Sequence, residues 1–155
     1  ISFTKGGKKE YNKHFKMTLI EVTHELLDIP DEEDQVEFTI EQNRFSGIVD
    51  QLMMFHDNLE MKINNDFVYM KTDGDEGTMK IEIDTDDLEE FSAEECEADT
   101  YLVEQNFALK YIKTMCMFNR VSNLISIRIS DNRPICCYYS LENESYLRFY
   151  LAPKE

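Results

Sequence analysis

Along Val36-Glu37-Phe38-Thr39-Ile40-Glu41 apolar and polar residues alternate, with Val36, Phe38 and Ile40 on one side. A period of two is the signature of a strand with one face buried. Directly after it, Phe45, Ile48, Val49, Leu52 and Met53 recur at intervals of three and four, one stripe of a helix. Asn43 is the expected cap, its side-chain oxygen accepting an amide that the first turn leaves unpaired. Three more strands are predicted near 59–64, 67–72 and 77–83. Asn64-Asn65-Asp66 and Asp73-Gly74-Asp75-Glu76-Gly77 separate them with turn chemistry.

The same order comes again. Ile40-Glu41-Gln42-Asn43-Arg44-Phe45 recurs, one residue shorter, as Val103-Glu104-Gln105-Asn106-Phe107. Each copy runs into an amphipathic segment ending in a similar cluster, Leu52-Met53-Met54-Phe55 and Met115-Cys116-Met117-Phe118. Asn58-Leu59-Glu60-Met61-Lys62-Ile63 lines up with Asn123-Leu124-Ile125-Ser126-Ile127-Arg128. Such self-similarity means one supersecondary unit used twice. The second copy predicts a strand near 99–104, Asn106 as cap, and a helix marked by Phe107, Tyr111 and Met115 with Ala108 and Ile112 beside them. Strands near 124–130, 135–141 and 145–151 follow.

These connections are too short for parallel crossovers, so the sheets are expected to be antiparallel. Both helices then cover the apolar surface from one face, and the two units are related by an approximate two-fold. The fold class is α+β, two repeated βαβββ units spanning 36–83 and 99–151. The segment 84–98 that joins them is dense in carboxylates, costly to bury, and reads as an exposed loop.

Charge changes the picture next. With 16 Lys and Arg against 32 Asp and Glu, the 155-residue chain carries −16, opposite to the basic footprint of a generic nucleic-acid binder. Any DNA contact must be confined to one surface. Lys5, Lys8, Lys9, Lys13 and Lys16 gather positive charge at the start, while Asp28, Asp31, Glu32, Glu33 and Asp34 form an acidic cluster. The length is that of one domain, and an opening at Ile1 rather than Met is expected of a processed or cut piece. No apolar run is long enough to cross a bilayer as a helix.

Catalytic and metal chemistry find no support. Cys96, Cys116, Cys136 and Cys137 form no CxxC and read as core thiols of a reducing compartment. His14, His24 and His56 offer no ligand spacing, and Asp84, Asp86 and Asp87 lack the pattern of a calcium loop. No nucleophile, base and orienting group assemble, and no glycine-rich phosphate loop follows a strand. The expectation is no enzyme, no metal and no cofactor.

Three stretches, in order, resemble a known family. Leu26-Leu27-Asp28-Ile29-Pro30, Phe107-Ala108-Leu109-Lys110-Tyr111 and Tyr146-Leu147-Arg148-Phe149-Tyr150-Leu151-Ala152-Pro153-Lys154 are similar to segments of PCNA, the eukaryotic and archaeal DNA sliding clamp. The likeness extends from about Phe15 to Lys154. It implies a basic start and terminal strand of a missing first domain (1–20), an interdomain connector (21–35) and a C-terminal clamp domain (36–155).

The resemblance also implies function: a polymerase processivity factor, a homotrimeric ring around duplex DNA with helices lining the hole. DNA-facing positions would be Arg44, Lys110, Lys113 and Arg120. Gly47, Asp50 and Met117 stand where the family commonly has basic residues. Polymerase, ligase, nuclease and clamp-loader proteins would dock short aromatic-anchored peptides at Leu27, Ile29, Pro134, Tyr150, Leu151, Ala152 and Pro153, with Asp34 replacing a usual aromatic. The extended tail beyond the last strand is expected to offer its backbone to such a peptide. A subunit interface would pair the strand of Phe15, Met17 and Leu19 with Thr78, Met79, Lys80, Ile81, Glu82 and Ile83 of a neighbour. The implied location is the nucleus, or a site of viral DNA replication. A checkpoint-type or viral clamp homologue with divergent partners is the alternative.

Overall fold

The computed structural model describes residues 2–3, 13–14, 33–97, 100–118 and 120–154. The chain divides into two compact units, 1–32 and 33–155. In the first, β1 (Ser2–Phe3) pairs antiparallel with β2 (Lys13–His14), Ser2 opposite His14. Leu27, Ile29, Phe15, Met17 and Leu19, and the connector as far as Glu32, lie outside the described residues.

The second unit begins with β3 (Val36–Glu41) and α1 (Gln42–Met53). It continues through β4 (Asn58–Ile63), β5 (Phe67–Gly74), β6 (Gly77–Asp84) and β7 (Glu90–Ala93). Then come β8 (Val103–Ala108), α2 (Leu109–Met115), β9 (Leu124–Ile129), β10 (Ile135–Ser140) and β11 (Tyr146–Leu151). A five-stranded sheet runs β11-β10-β9-β3-β7 and a four-stranded one β6-β5-β4-β8, every pairing antiparallel. The two helices pack side by side on one face, as expected.

The first strand of each unit closes onto the other. β3 pairs with β9 (Val36 opposite Ile129) and β8 with β4 (Val103 opposite Ile63). This exchange interlocks the halves around one core. Phe38, Phe45, Leu52, Leu59, Met61, Phe107, Ile112, Ile127 and Tyr139 are almost fully buried in it. Strand alternation sends Glu37, Glu60, Lys62, Tyr69, Arg128, Tyr138 and Arg148 to the outward faces. There Lys62 bridges Glu60 (3.1 Å) and Glu104 (2.7 Å), which holds its ammonium pKa up at about 12.

The pairing corrects the repeat as read in letters. Ile40 and Phe107 occupy matching places, one residue before the Glu41 and Ala108 that stand opposite Leu124 and Asn58. The shared Glu-Gln-Asn therefore aligns the copies four residues out of step. Gln42 opens a helix, while Gln105 points inward from β8 and donates to the Ser130 carbonyl at 2.7 Å. Leu59, Met61 and Ile63 match Ile125, Ile127 and Ile129 rather than Leu124, Ser126 and Arg128. In a strand a one-residue slip exchanges the faces, and Leu124 is indeed exposed.

Other expectations shift with it. The strand set at 99–104 lies at 103–108, so Asn106 is a strand residue and caps nothing. Nor does Asn43 cap α1, whose N-cap is Glu41 without a side-chain bond. The buried residues of α2 are Leu109 and Ile112, continued by Cys116, instead of Phe107, Tyr111 and Met115. The acidic 84–98 segment is not wholly loop. After a 3-10 turn at Thr85–Asp87, β7 adds to the sheet edge, with Phe91 and Ala93 partly buried and Glu90 and Ser92 exposed. Four residues suffice for this, because every carboxylate stays in water.

Candidate DNA-facing and docking surfaces

Arg44 of α1 and Lys110 of α2 are exposed and Lys113 of α2 is half-buried, while Arg120, expected on the second helix, is exposed in a turn beyond its end. The antiparallel crossing of the helices brings Lys113 of α2 against Asp50 of α1, with Nζ 2.6 Å from Oδ1 and 3.2 Å from the Ser46 hydroxyl. Asp50 thus cancels Lys113 locally. Arg44 Nη1 donates to the Asp87 carbonyl at 3.0 Å, turning its guanidinium toward the rim of the five-stranded sheet. Lys110 Nζ sits 4.9 Å from the Tyr111 ring centre. Met54 and Met117 are about 70% exposed, so apolar thioethers share this face with the cations.

Beneath the α2 end lies a polar cluster that the sequence did not disclose. The buried Tyr139 hydroxyl donates to the Met115 carbonyl at 2.8 Å, and Gln42 Nε2 donates to the Cys116 carbonyl. These carbonyls lie where α2 passes into a 3-10 turn at Cys116–Phe118. Two side chains, one from β10 and one from α1, add donors to them. Burial pushes the Cys116 thiol pKa up to about 12 and raises that of Tyr139.

The described residues among those expected to dock peptides lie near one another. Ile135 stands opposite Leu151 and Cys136 opposite Tyr150, so Pro134 comes level with Ala152 and Pro153 at one end of the β10–β11 pair. Pro134 and Ala152 are exposed, while Tyr150, Leu151 and Pro153 are half-buried. The tail is not wholly open to a ligand, because the Lys154 amide donates to the Asn106 carbonyl of β8 at 2.7 Å. Burial, against the pull of Arg128 and other cations, raises the Asp34 pKa.

β6 forms an edge of the four-stranded sheet, pairing among the described residues only with β5. Thr78, Lys80 and Glu82 are exposed, Met79 and Ile81 half-buried and Ile83 buried. Lys80 spans the Tyr69 ring at 4.3 Å and Glu82 at 3.3 Å.

The family described as Proliferating cell nuclear antigen, C-terminal domain, matches residues 28–154. The chain belongs to this family. It is 32% identical over 141 residues to the proliferating cell nuclear antigen of Chaetomium thermophilum, covering 90% of this chain and 54% of the relative. Over 154 residues it is 25% identical to proliferating cell nuclear antigen 2 of Drosophila melanogaster, and over 162 residues 28% identical to probable DNA polymerase sliding clamp 2 of Paramecium bursaria Chlorella virus 1. Each of these alignments covers 99% of this chain and 58% of the relative. The crystal structure of the PCNA of Entamoeba histolytica superposes with a TM-score of 0.75 at 20% identity, over 94% of this chain and 56% of that one. The chain thus spans little more than half the length of the PCNA-family relatives it matches.

Proposed function

We infer that this chain is the second domain of a ring-shaped sliding clamp, a processivity factor that encircles duplex DNA and tethers replication and repair enzymes without chemistry of its own. The observation that carries this reading is the pair of adjacent helices on one face of two outward-turned sheets, in a chain of the PCNA C-terminal family. In this reading Arg44, Lys110, Lys113 and Arg120 face the phosphates, a contact that needs charge and no base reading. Pro134, Tyr150, Leu151, Ala152 and Pro153 receive aromatic-anchored peptides of polymerases, ligases, nucleases and loaders. The β6 edge from Thr78 to Ile83 receives the Phe15, Met17 and Leu19 strand of a neighbour, an open ladder being a template for another chain. Assembly is homotrimeric and the setting nuclear.

The Lys113–Asp50 pair also favours a second reading, a checkpoint-type or viral clamp with a weak DNA face and other partners. A topological assay tests the first. The two-domain parent, loaded on a nicked circle, should stay bound at high salt and leave once the circle is cut. Retention that ignores linearisation, or failure to extend polymerase runs, would overturn it. Pull-down with polymerase and ligase tail peptides separates the two readings, capture favouring the first.

A further inference from the structure

The docking end of the β10–β11 pair continues into a stacked ladder on the outward face of the five-stranded sheet. Tyr146, Arg148 and Tyr150 alternate outward along β11, and Cys136, Tyr138 and Ser140 do so along β10, in register. The Arg148 guanidinium carbon lies 4.6 Å from the Tyr146 ring centre and 5.7 Å from that of Tyr138. The two rings stack on each other at 5.8 Å, and Tyr150 lies two residues further along β11, at the docking end. Arg128 lies 4.5 Å from the other side of Tyr138, but Glu37 already holds it at 2.9 Å. Arg148 differs: no ion pair holds it among the described residues, and the described carboxyl that feels its charge is Asp34. It is exposed, and its guanidinium, whose planar fork suits a carboxylate, lies beside the stacked pair of rings.

We propose that Arg148 is a specificity residue of the docking surface, selecting partner peptides that carry a carboxylate beside their aromatic anchor. The inference rests on the docking role proposed above. Two residues of β11 separate Tyr150 from Arg148, about 7 Å of strand. An extended peptide anchored at Tyr150 therefore reaches Arg148 with the side chain two positions from its anchor. Charge complementarity names the occupant: a peptide Asp or Glu would match the exposed Arg148 guanidinium, whose planar fork can donate twice.

The test uses the whole chain and short fluorescein-labelled peptides with adjacent aromatic residues, made with Glu or Gln two residues from the aromatic pair on either side. Fluorescence anisotropy at low salt should show one Glu version binding roughly three- to tenfold tighter than its Gln twin, the worth of a charge-assisted hydrogen bond. That preference should shrink with added salt and vanish in Arg148→Gln, while the Gln peptides keep their affinity. Arg148→Lys should retain part of it. If Glu and Gln peptides bind alike, or the preference survives Arg148→Gln, the Arg148 assignment is overturned and the docking groove stands. If no peptide binds, and Tyr150→Ala changes nothing, the docking reading falls and the assignment with it.

Discussion

Removing a single hydroxyl group, by Tyr139→Phe, tests how the end of α2 is held. Tyr139 is 0% exposed, and its oxygen donates at 2.8 Å to the carbonyl of Met115, the last residue of α2. Phenylalanine fills the same space, so no large cavity opens, but the Met115 carbonyl, which the 3-10 turn at Cys116–Phe118 also engages, loses its side-chain donor. Leaving such a group with no partner at all would cost about 1–3 kcal/mol. The neighbouring bond from Gln42 to the Cys116 carbonyl remains, which places the expectation at about 1–2 kcal/mol, the lower part of that range. With an m-value of about 2 kcal/mol/M, the urea midpoint should fall by roughly 0.5–1 M at unchanged slope. Circular dichroism across a urea series reads this directly. An unchanged midpoint would refute the capping role, showing that the Met115 carbonyl finds an equal partner without the phenol. Gln42→Ala should couple to Tyr139→Phe by at least about 0.5 kcal/mol in a double-mutant cycle, since both act on the same helix end.

Other outcomes follow from the same geometry. In Gly74→Ala the new Cβ would lie 2.3 Å from the Phe55 carbonyl oxygen, so the β5–β6 hairpin must shift. We expect a loss of about 1–3 kcal/mol in thermal or urea unfolding. The Cys116 thiol is raised from 9.0 to about 12 in the folded chain, so the folded state is favoured wherever the thiol stays protonated. That contribution is complete below about pH 9 and should be lost progressively toward about pH 12. Cys116→Ala should flatten that part of the alkaline stability profile. Asp50→Asn frees Lys113 from its ion pair, and the assembled parent ring should then bind duplex more tightly, with a salt slope steeper by about one counterion.

Much of the architecture was legible because the chain is locally consistent. The alternation of Val36, Phe38 and Ile40 and the Phe45–Leu52 stripe appear in the structure where the sequence places them. What misled was identity of letters. Glu-Gln-Asn occurs at 41–43 and 104–106, yet one stretch turns into a helix and the other stays in a strand, because cross-strand pairing outweighs local similarity. β7 was hidden for the opposite reason: its carboxylates made 84–98 read as loop, although Phe91 and Ala93 alternate inward. At the surfaces, residue types gave the cations but not their partners. That Asp50 meets Lys113 depends on an antiparallel helix crossing that no spacing encodes. The Tyr146, Arg148 and Tyr150 alternation was available from strand periodicity, whereas its alignment with Tyr138 required the register.

Photo-crosslinking on the loaded two-domain parent tests the central claim most directly. With a photoreactive residue at Lys110 on the helix face, and in a separate variant at Tyr138 on the outward sheet face, irradiation on a nicked circle should join duplex to the Lys110 position and leave Tyr138 unlabelled. Labelling at Tyr138 with none at Lys110 would place the DNA against the sheets and contradict the account.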